Sequence, residues 1–408
     1  MDIEGKTLVA YRRLFDDALF AAMENVRRNE KENPGRAAAL LVEKAEMLGL
    51  QGNVVRRYII HELCQGETAI SDAIEKTGVA GPSMEFVVAS DMAYLWPYLT
   101  ETPSRWLSVP WFDDYRPAEA RFNGAEDALD AALQSVLSPG EGAKILLHHY
   151  RTWGCGMWAQ YTAFRLDATG RVMGIENVPD LAWDDLLGYE EHKKRLYDNT
   201  AAFVDGAEGN NVLLTGARGT GKSTAVKTLV SLFKEKGLRL VQVNRGQMKY
   251  LPAVMEQLGR IGSKRFIVFF DDLSFDETEE DYRYVKSCID GGAVEQPKNV
   301  LFYATSNRRH LIKETWAQRH DEMEEVYRED NTNEAISLSD RFGLILHYKA
   351  PTQDEYLRII AHGLEKEGIV LPTEKLRLEG IRWEMEHSGR NGRIASQFVT
   401  DYVNRHKK

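Results

Sequence analysis

Gly216-Ala217-Arg218-Gly219-Thr220-Gly221-Lys222-Ser223 has the residue types of a loop that closes around phosphate. Its glycines let the backbone curl about an anion. It stands between the apolar run Val212-Leu213-Leu214 and the helically spaced segment from Thr224 to Val230. A loop between a strand end and a helix start aims N–H groups and the positive end of the helix dipole at one point. In such a loop Lys222 reaches the β- and γ-phosphates of a nucleoside triphosphate, and the Ser223 hydroxyl joins a Mg²⁺ shell. Residues 216–223 together with Thr224 are therefore the expected phosphate cradle.

A phosphate loop needs acids beside it. Phe266-Ile267-Val268-Phe269-Phe270 is apolar and ends in Asp271-Asp272, which places two carboxylates at a strand's carboxyl end, where α/β sheets bind ligands. Asp271 is expected to hold Mg²⁺ and Asp272 to orient an attacking water and take its proton. Leu301-Phe302-Tyr303-Ala304 runs into Thr305-Ser306-Asn307, so the Asn307 amide stands at another strand tip, where it could bond the water or the γ-phosphate. Arg341, in Ser339-Asp340-Arg341-Phe342-Gly343, fits either an ordinary ion pair or a finger inserted into a neighbouring subunit's phosphate site.

The elements that must position these groups follow from apolar spacing. Short apolar runs at 212–214, 238–243, 266–270, 300–304 and 344–348 alternate with helical segments, which predicts a parallel sheet covered by helices. Residues 1–180 read as a mostly helical N-terminal domain. Leu8, Tyr11, Leu14, Phe15, Leu19 and Met23 recur at helical intervals, and breakers stand at Asn33-Pro34-Gly35, Gly81-Pro82 and Ser138-Pro139-Gly140. Residues 181–350 form the expected α/β nucleotide-binding core and 351–408 a small helical lid. The aromatic stretch Trp96, Trp106, Trp111, Phe112 and Tyr115 reads as core packing, with a partner-binding surface as the alternative. His148 and His149, near Cys155, lack a third ligand and read as structural. The hydrophilic stretch 313–333 reads as a solvated helix or loop.

The chain has 408 residues, 43% hydrophobic and 10% aromatic, with a net charge of -10. Residues 1–180 hold 18 Lys and Arg against 26 Asp and Glu, so the acidity is concentrated there. This balance favours a protein partner over nucleic acid, although Arg308 and Arg309 beside the Asn307 strand could touch phosphate. Cys64, Cys155 and Cys288 show no paired spacing, and no apolar run has the length of a membrane span. Met1-Asp2-Ile3-Glu4-Gly5-Lys6 does not read as a secretory signal, so a cytoplasmic location is expected.

Taken in order, these motifs resemble the AAA+ ATPases, across about residues 181–408. The resemblance implies an α/β P-loop NTPase fold with a helical N-terminal domain and a C-terminal helical lid. It also implies ATP and Mg²⁺ as ligands and a homo-oligomer with shared sites. In that family's terms Lys222 and Ser223 belong to Walker A, Asp271 and Asp272 to Walker B, Asn307 is the first sensor and Arg341 the arginine finger. Asp185-Leu186-Leu187-Gly188-Tyr189-Glu190 resembles the segment covering adenine, so Gly188 and Tyr189 are implied base contacts. Arg393, in Gly392-Arg393-Ile394-Ala395, falls at the second sensor, with Arg390 as the alternative. Asp271-Asp272-Leu273-Ser274-Phe275, residues 303–311 and residues 337–343 are similar to a bacterial family of AAA+ proteins of unknown function. That likeness extends upstream to about Tyr150. Most AAA+ proteins carry Asp-Glu where this chain has Asp271-Asp272, and the shorter carboxylate implies slow turnover unless the backbone compensates.

The leading expectation is an ATPase whose cycle remodels a macromolecular partner. A nucleotide-gated loader or scaffold with slow hydrolysis is the alternative, since residues 244–251 lack an aromatic-apolar-Gly tripeptide. A small-molecule P-loop kinase accounts poorly for Arg341 and the lid.

Overall fold

The computed structural model describes residues 8–28, 33–121, 123–176, 178, 182–273, 280–289, 296–307, 341–387 and 389–406. Leu181, Ser274, Phe275, Arg308, Arg309, His310, Leu311, the stretch 313–333 and residues 337–340 lie outside them. The chain forms two compact units, residues 1–162 with 261–264, and residues 163–260 with 265–408.

The first unit is helical. Its helices are α1 (Ala18–Arg28), α2 (Gly35–Leu48), α3 (Val54–Gln65), α4 (Ala69–Thr77), α5 (Pro82–Thr100), α6 (Ser104–Leu107), α7 (Gly124–Gln134), α8 (Pro139–Thr152) and α9 (Met157–Gln160). All three breakers fall at helix starts. Pro34 precedes α2, Pro82 opens α5, and the Ser138 hydroxyl accepts the Glu141 N–H to cap α8. Tyr58, Ile59 and Leu63 of α3 bury against Met92 and Leu95 of α5 and Leu146 and Tyr150 of α8. The aromatic stretch divides. Phe112 is fully buried, Trp96, Trp106 and Tyr115 pack half-buried on the core, and Trp111 is exposed. His149 is buried, with Nε2 3.4 Å from the Cys64 sulfur, and burial pulls its imidazole down to about 3.

The second unit carries a seven-stranded sheet of β1 (Ala163–Leu166), β2 (Val172–Gly174), β3 (Val212–Gly216), β4 (Leu238–Gln242), β5 (Arg265–Phe270), β6 (Val300–Ser306) and β7 (Leu344–Tyr348). The order is β2-β1-β4-β5-β6-β3-β7, parallel throughout except for the β1–β2 hairpin. All five expected strands form; β3, β5 and β6 are buried on both faces, whereas β7 alternates and leaves Ile345 exposed. Helices α10 (Glu190–Val204), α11 (Lys222–Phe233), α12 (Leu251–Gly259) and α13 (Glu280–Ile289) belong to this core. The lid has α14 (Gln353–Lys366), α15 (Thr373–Glu386) and α16 (Gly392–His406), packed through Tyr356, Ile360, Leu364, Ala395 and Phe398.

Residues 1–180 are mostly helical; the short strands β1 and β2 are the exception, and they belong to the second unit, which begins at Ala163. They are four and three residues long, too short for alternation to announce them. The Asp167 carboxylate closes their turn by accepting from Thr169 N, Thr169 Oγ1 and Arg171 N, at 2.7, 2.7 and 3.0 Å. β1 then pairs with β4.

The architecture is the α/β P-loop fold with a helical N-terminal region and a helical lid. Because β6 lies between β5 and β3, the carboxyl ends of three neighbouring strands carry, in order, the acid pair, Asn307 and the phosphate loop.

Candidate nucleotide site

Strand β3 enters the loop at Gly216, whose φ of +125° and contact with β7 exclude a side chain. A Cβ there would lie 1.9 Å from the Tyr348 carbonyl oxygen. Gly219 and Gly221 are left-handed at φ +72° and +86°, and α11 begins at Lys222. The loop is thus shaped by backbone demands that only glycine meets, and it leaves the first N–H groups of α11 without helical partners. That is the cradle a phosphate needs.

The Lys222 ammonium is buried, 6% exposed, and folded back onto the loop. It donates to the carbonyls of Gly216 at 2.9 Å and Ala217 at 2.7 Å, and to Asn307 Oδ1 at 3.2 Å. Burial lowers its pKa below the usual lysine value, while Asp272 and Asp271 pull the other way. Ser223 Oγ donates to Asp271 Oδ1 at 2.5 Å, so its lone pairs are left for a cation. One carboxylate and one hydroxyl, with phosphate oxygens and waters, suit Mg²⁺, which rarely takes an all-protein cage. The glycine cradle and this oxygen donor pair therefore fit Mg²⁺ with a triphosphate.

Asn307 joins the two sides. Its Oδ1 faces the Lys222 ammonium and its Nδ2 donates to Asp272 Oδ1 at 2.5 Å, a pattern that leaves no ambiguity in the amide's orientation. Asp272 has φ +59°, a left-handed conformation. Among non-glycine residues Asn and Asp tolerate this region best, because a short polar side chain can bond locally. This gives a physical reason for Asp, where a longer acid was the norm, at position 272.

A cavity of about 1050 Å³ opens above these groups. Residues 218–224, Asp271, Asp272, Asn307, Gly188, Tyr189 and Arg393 all line it. Gly216 and Ala217 do not. Their carbonyls accept from the Lys222 ammonium. On the apolar side Leu186, Tyr189, Tyr348, Pro351 and Ile359 form the wall. Gly188 and Tyr189 are left-handed at φ +81° and +58°, and the Tyr189 hydroxyl donates to the Lys349 carbonyl. The rings of Tyr189 and Tyr348 lie 4.7 Å apart.

The lid reaches the loop through backbone, Gly392 N donating to Gly219 O at 2.8 Å. Asn391 caps α16 by accepting from Ile394 N at 3.0 Å. The cap turns Arg393 toward the cavity it lines, whereas Arg390 pairs with Glu384 at 2.6 Å and lines nothing there. Arg341 is also absent from the lining. It precedes β7, whose first residue Leu344 pairs with Val212 at the start of β3. The strand between spans roughly 15 Å at ~3.3 Å per residue, so Arg341 lies at the opposite end of the sheet from the loop.

Sequence reasoning missed Thr305, Glu355, Arg358 and Ser396 as site residues, although all four line the cavity. Thr305 carried a faint signal, a hydroxyl at the tip of an otherwise apolar strand. The lid residues carried none, since only the packing of α14 and α16 turns them inward.

Solved structures of similar fold include the Thermotoga maritima RuvB Holliday junction branch migration motor, at 20% identity and TM-score 0.38, covering 56% of this chain and 67% of that one. Others are C. elegans PCH-2, at 14% identity and TM-score 0.38, covering 55% and 66%, and the Aeropyrum pernix Orc1 protein in complex with DNA, at 15%, 0.38, 57% and 63%. Likenesses of this size leave activity and partner open. No curated protein matches the chain. The family model described as "Protein of unknown function (DUF815)" matches residues 159–406, well over half the sequence and the whole of the cavity just described, and the chain belongs to that family.

Proposed function

We propose that the protein is a Mg²⁺-dependent ATPase of the AAA+ type that converts ATP and water to ADP and phosphate. The observation that carries this reading is a pair of hydrogen-bonded groups that Thr305 joins. Ser223, Asp271, Lys222, Asn307 and Asp272 meet at the carboxyl ends of β3, β5 and β6 beneath a cavity of nucleotide size.

Bound beside Ser223 and Asp271, Mg²⁺ would neutralise charge on the β- and γ-phosphates. Lys222, now held by its own loop, has the reach to exchange those carbonyls for phosphate oxygens. Its departure from Asn307 Oδ1 frees that oxygen to accept from the attacking water, while the second Nδ2 hydrogen could donate to the γ-phosphate. Asp272 then takes the proton of the attacking water. Arg393 projects from the lid, so a γ-phosphate contact there exists with ATP and vanishes with ADP, which biases two lid positions. Arg341, at the far end of its own sheet, acts in a neighbouring subunit's site. The acidic balance of the chain supports a protein as the partner that the lid movement acts on.

The engagement of Asp272 by Asn307 also favours a second reading, a nucleotide-gated loader or scaffold with slow reset. Phosphate release over many turnovers, with Mg²⁺ and ATP and without acceptor, separates the readings. Sustained release supports the motor and a single turnover supports the gate. Failure of well-folded protein to take up ATP with Mg²⁺ would sink both.

A further inference from the structure

Thr305 is 2% exposed at the tip of β6 and makes three bonds to the neighbouring acid turn. Its hydroxyl donates to Asp271 Oδ1 at 2.8 Å and accepts from Asp272 N at 2.9 Å, while its carbonyl accepts from Leu273 N at 2.7 Å. The hydroxyl's single proton and one lone pair are thereby used in one consistent pattern, with no competing partner for either. The turn it grips contains Asp272 in a left-handed conformation. Such a conformation persists where its surroundings over-determine it.

Resting on the ATPase reading above, we propose that Thr305 is the positioning residue of this site. It fixes the carboxylate that would hold the metal and the backbone of the proposed base at once, and acts through them. Asp271 Oδ1 is shared between Ser223 Oγ and Thr305 Oγ1, so these two hydroxyls orient the carboxylate from the first turn of α11 and from the tip of β6. Without the Thr305 hydroxyl, Asp271 keeps only its bond from Ser223, and the Asp272 N–H loses its acceptor. Asn307, on the same strand tip two residues on, holds the other end of Asp272, so β6 supplies both anchors of the acid turn.

The test pairs Thr305→Val, which keeps the shape and removes the hydroxyl, with Thr305→Ser, which keeps the hydroxyl. Two readouts are taken. The first is amide hydrogen exchange at Asp272 in ligand-free protein. The second is the Mg²⁺ concentration giving half-maximal ATP hydrolysis. Thr305→Val is expected to speed exchange at Asp272 at least tenfold and to raise the Mg²⁺ requirement or lower kcat by about 10–100-fold, as loss of an outer-shell partner does. KM for ATP at saturating Mg²⁺ should move little, and Thr305→Ser should restore both readouts. Wild-type exchange and Mg²⁺ dependence in folded Thr305→Val would overturn the proposal while leaving the ATPase reading intact. Equal damage by Thr305→Ser would overturn it too, since packing and not the hydroxyl would be responsible. Wild-type protein that binds no ATP defeats the ATPase reading itself, and the positioning role with it.

Discussion

The floor and the lid of the nucleotide cavity are built differently. On the floor the working groups are tied to one another. Lys222 is buried with three acceptors, Asp271 holds two hydroxyl donors, and Asn307 bridges Lys222 to Asp272. On the lid Arg358, Arg393 and Ser396 are exposed, and a bond from lid to loop runs backbone to backbone, from Gly392 N to Gly219 O. On the ATPase reading proposed above, the contrast is that of a preorganised chemical half and a half that responds to the nucleotide. Electrostatic stabilisation requires fixed groups, whereas reading the nucleotide state requires an element with two positions.

Arg341 offers the largest way to break this picture, because it belongs to neither half of its own cavity. Arg341→Ala is expected to lose about 10³–10⁵ in hydrolysis rate, the usual worth of an arginine finger, and to regain activity when mixed with Lys222→Ala. Absence of rescue in mixed assemblies removes the shared-site reading. Asp272→Asn on the floor should lower kcat by about 10²–10⁴ and leave ATP affinity near wild type, measured by single-turnover kinetics beside calorimetry. Were affinity to fall in parallel, Asp272 would be a binding group and not the base.

Lys222→Ala removes charge-assisted bonds to phosphate and should weaken ATP binding by about 100-fold. On the lid, Arg393→Ala should slow hydrolysis by about tenfold, with ADP affinity unchanged. Arg390→Ala, which loses only its exposed pair with Glu384, should alter neither. If Arg390→Ala is the more damaging, the lid reads phosphate through a different arginine than the geometry favours.

The smallest effect concerns the segment that leads into the base wall. Asp185 pairs with Lys366 and approaches His362 at 3.8 Å, tying residues 183–185 to α14. Its carboxyl is held below the usual range, chiefly by the Lys366 hydrogen bond. A depressed carboxylate contributes stability above its unfolded pKa and loses it as pH falls through the folded value. Asp185→Asn should therefore cost less than about 1 kcal/mol near neutral pH and nothing at acid pH, read from thermal melts.

Much of the floor was legible before any coordinates. Glycine spacing, the apolar strand ending in Asp271-Asp272 and the strand ending in Asn307 each encode their geometry locally, because a strand tip and a helix start are set by a few adjacent residues. Strands β1 and β2 were illegible because three- and four-residue strands leave no period to detect. Arg358 and Ser396 were illegible because a polar residue on a helix looks the same whether it faces solvent or a ligand. The unusual acid at position 272 was visible as a departure, but its reason was not, since the sign of φ is set by what Thr305 and Asn307 hold from the next strand.

The amino-acid order alone determined a glycine-shaped loop between a strand and a helix and placed carboxylates at a strand end, since both are short-range consequences of steric freedom and apolar pattern. Tertiary structure decided which strand lies between them. The placement of β6 between β5 and β3 brings Thr305 and Asn307 against both acids and against Lys222. Strand order arises from long-range pairing and helix packing, which no local run of residues specifies.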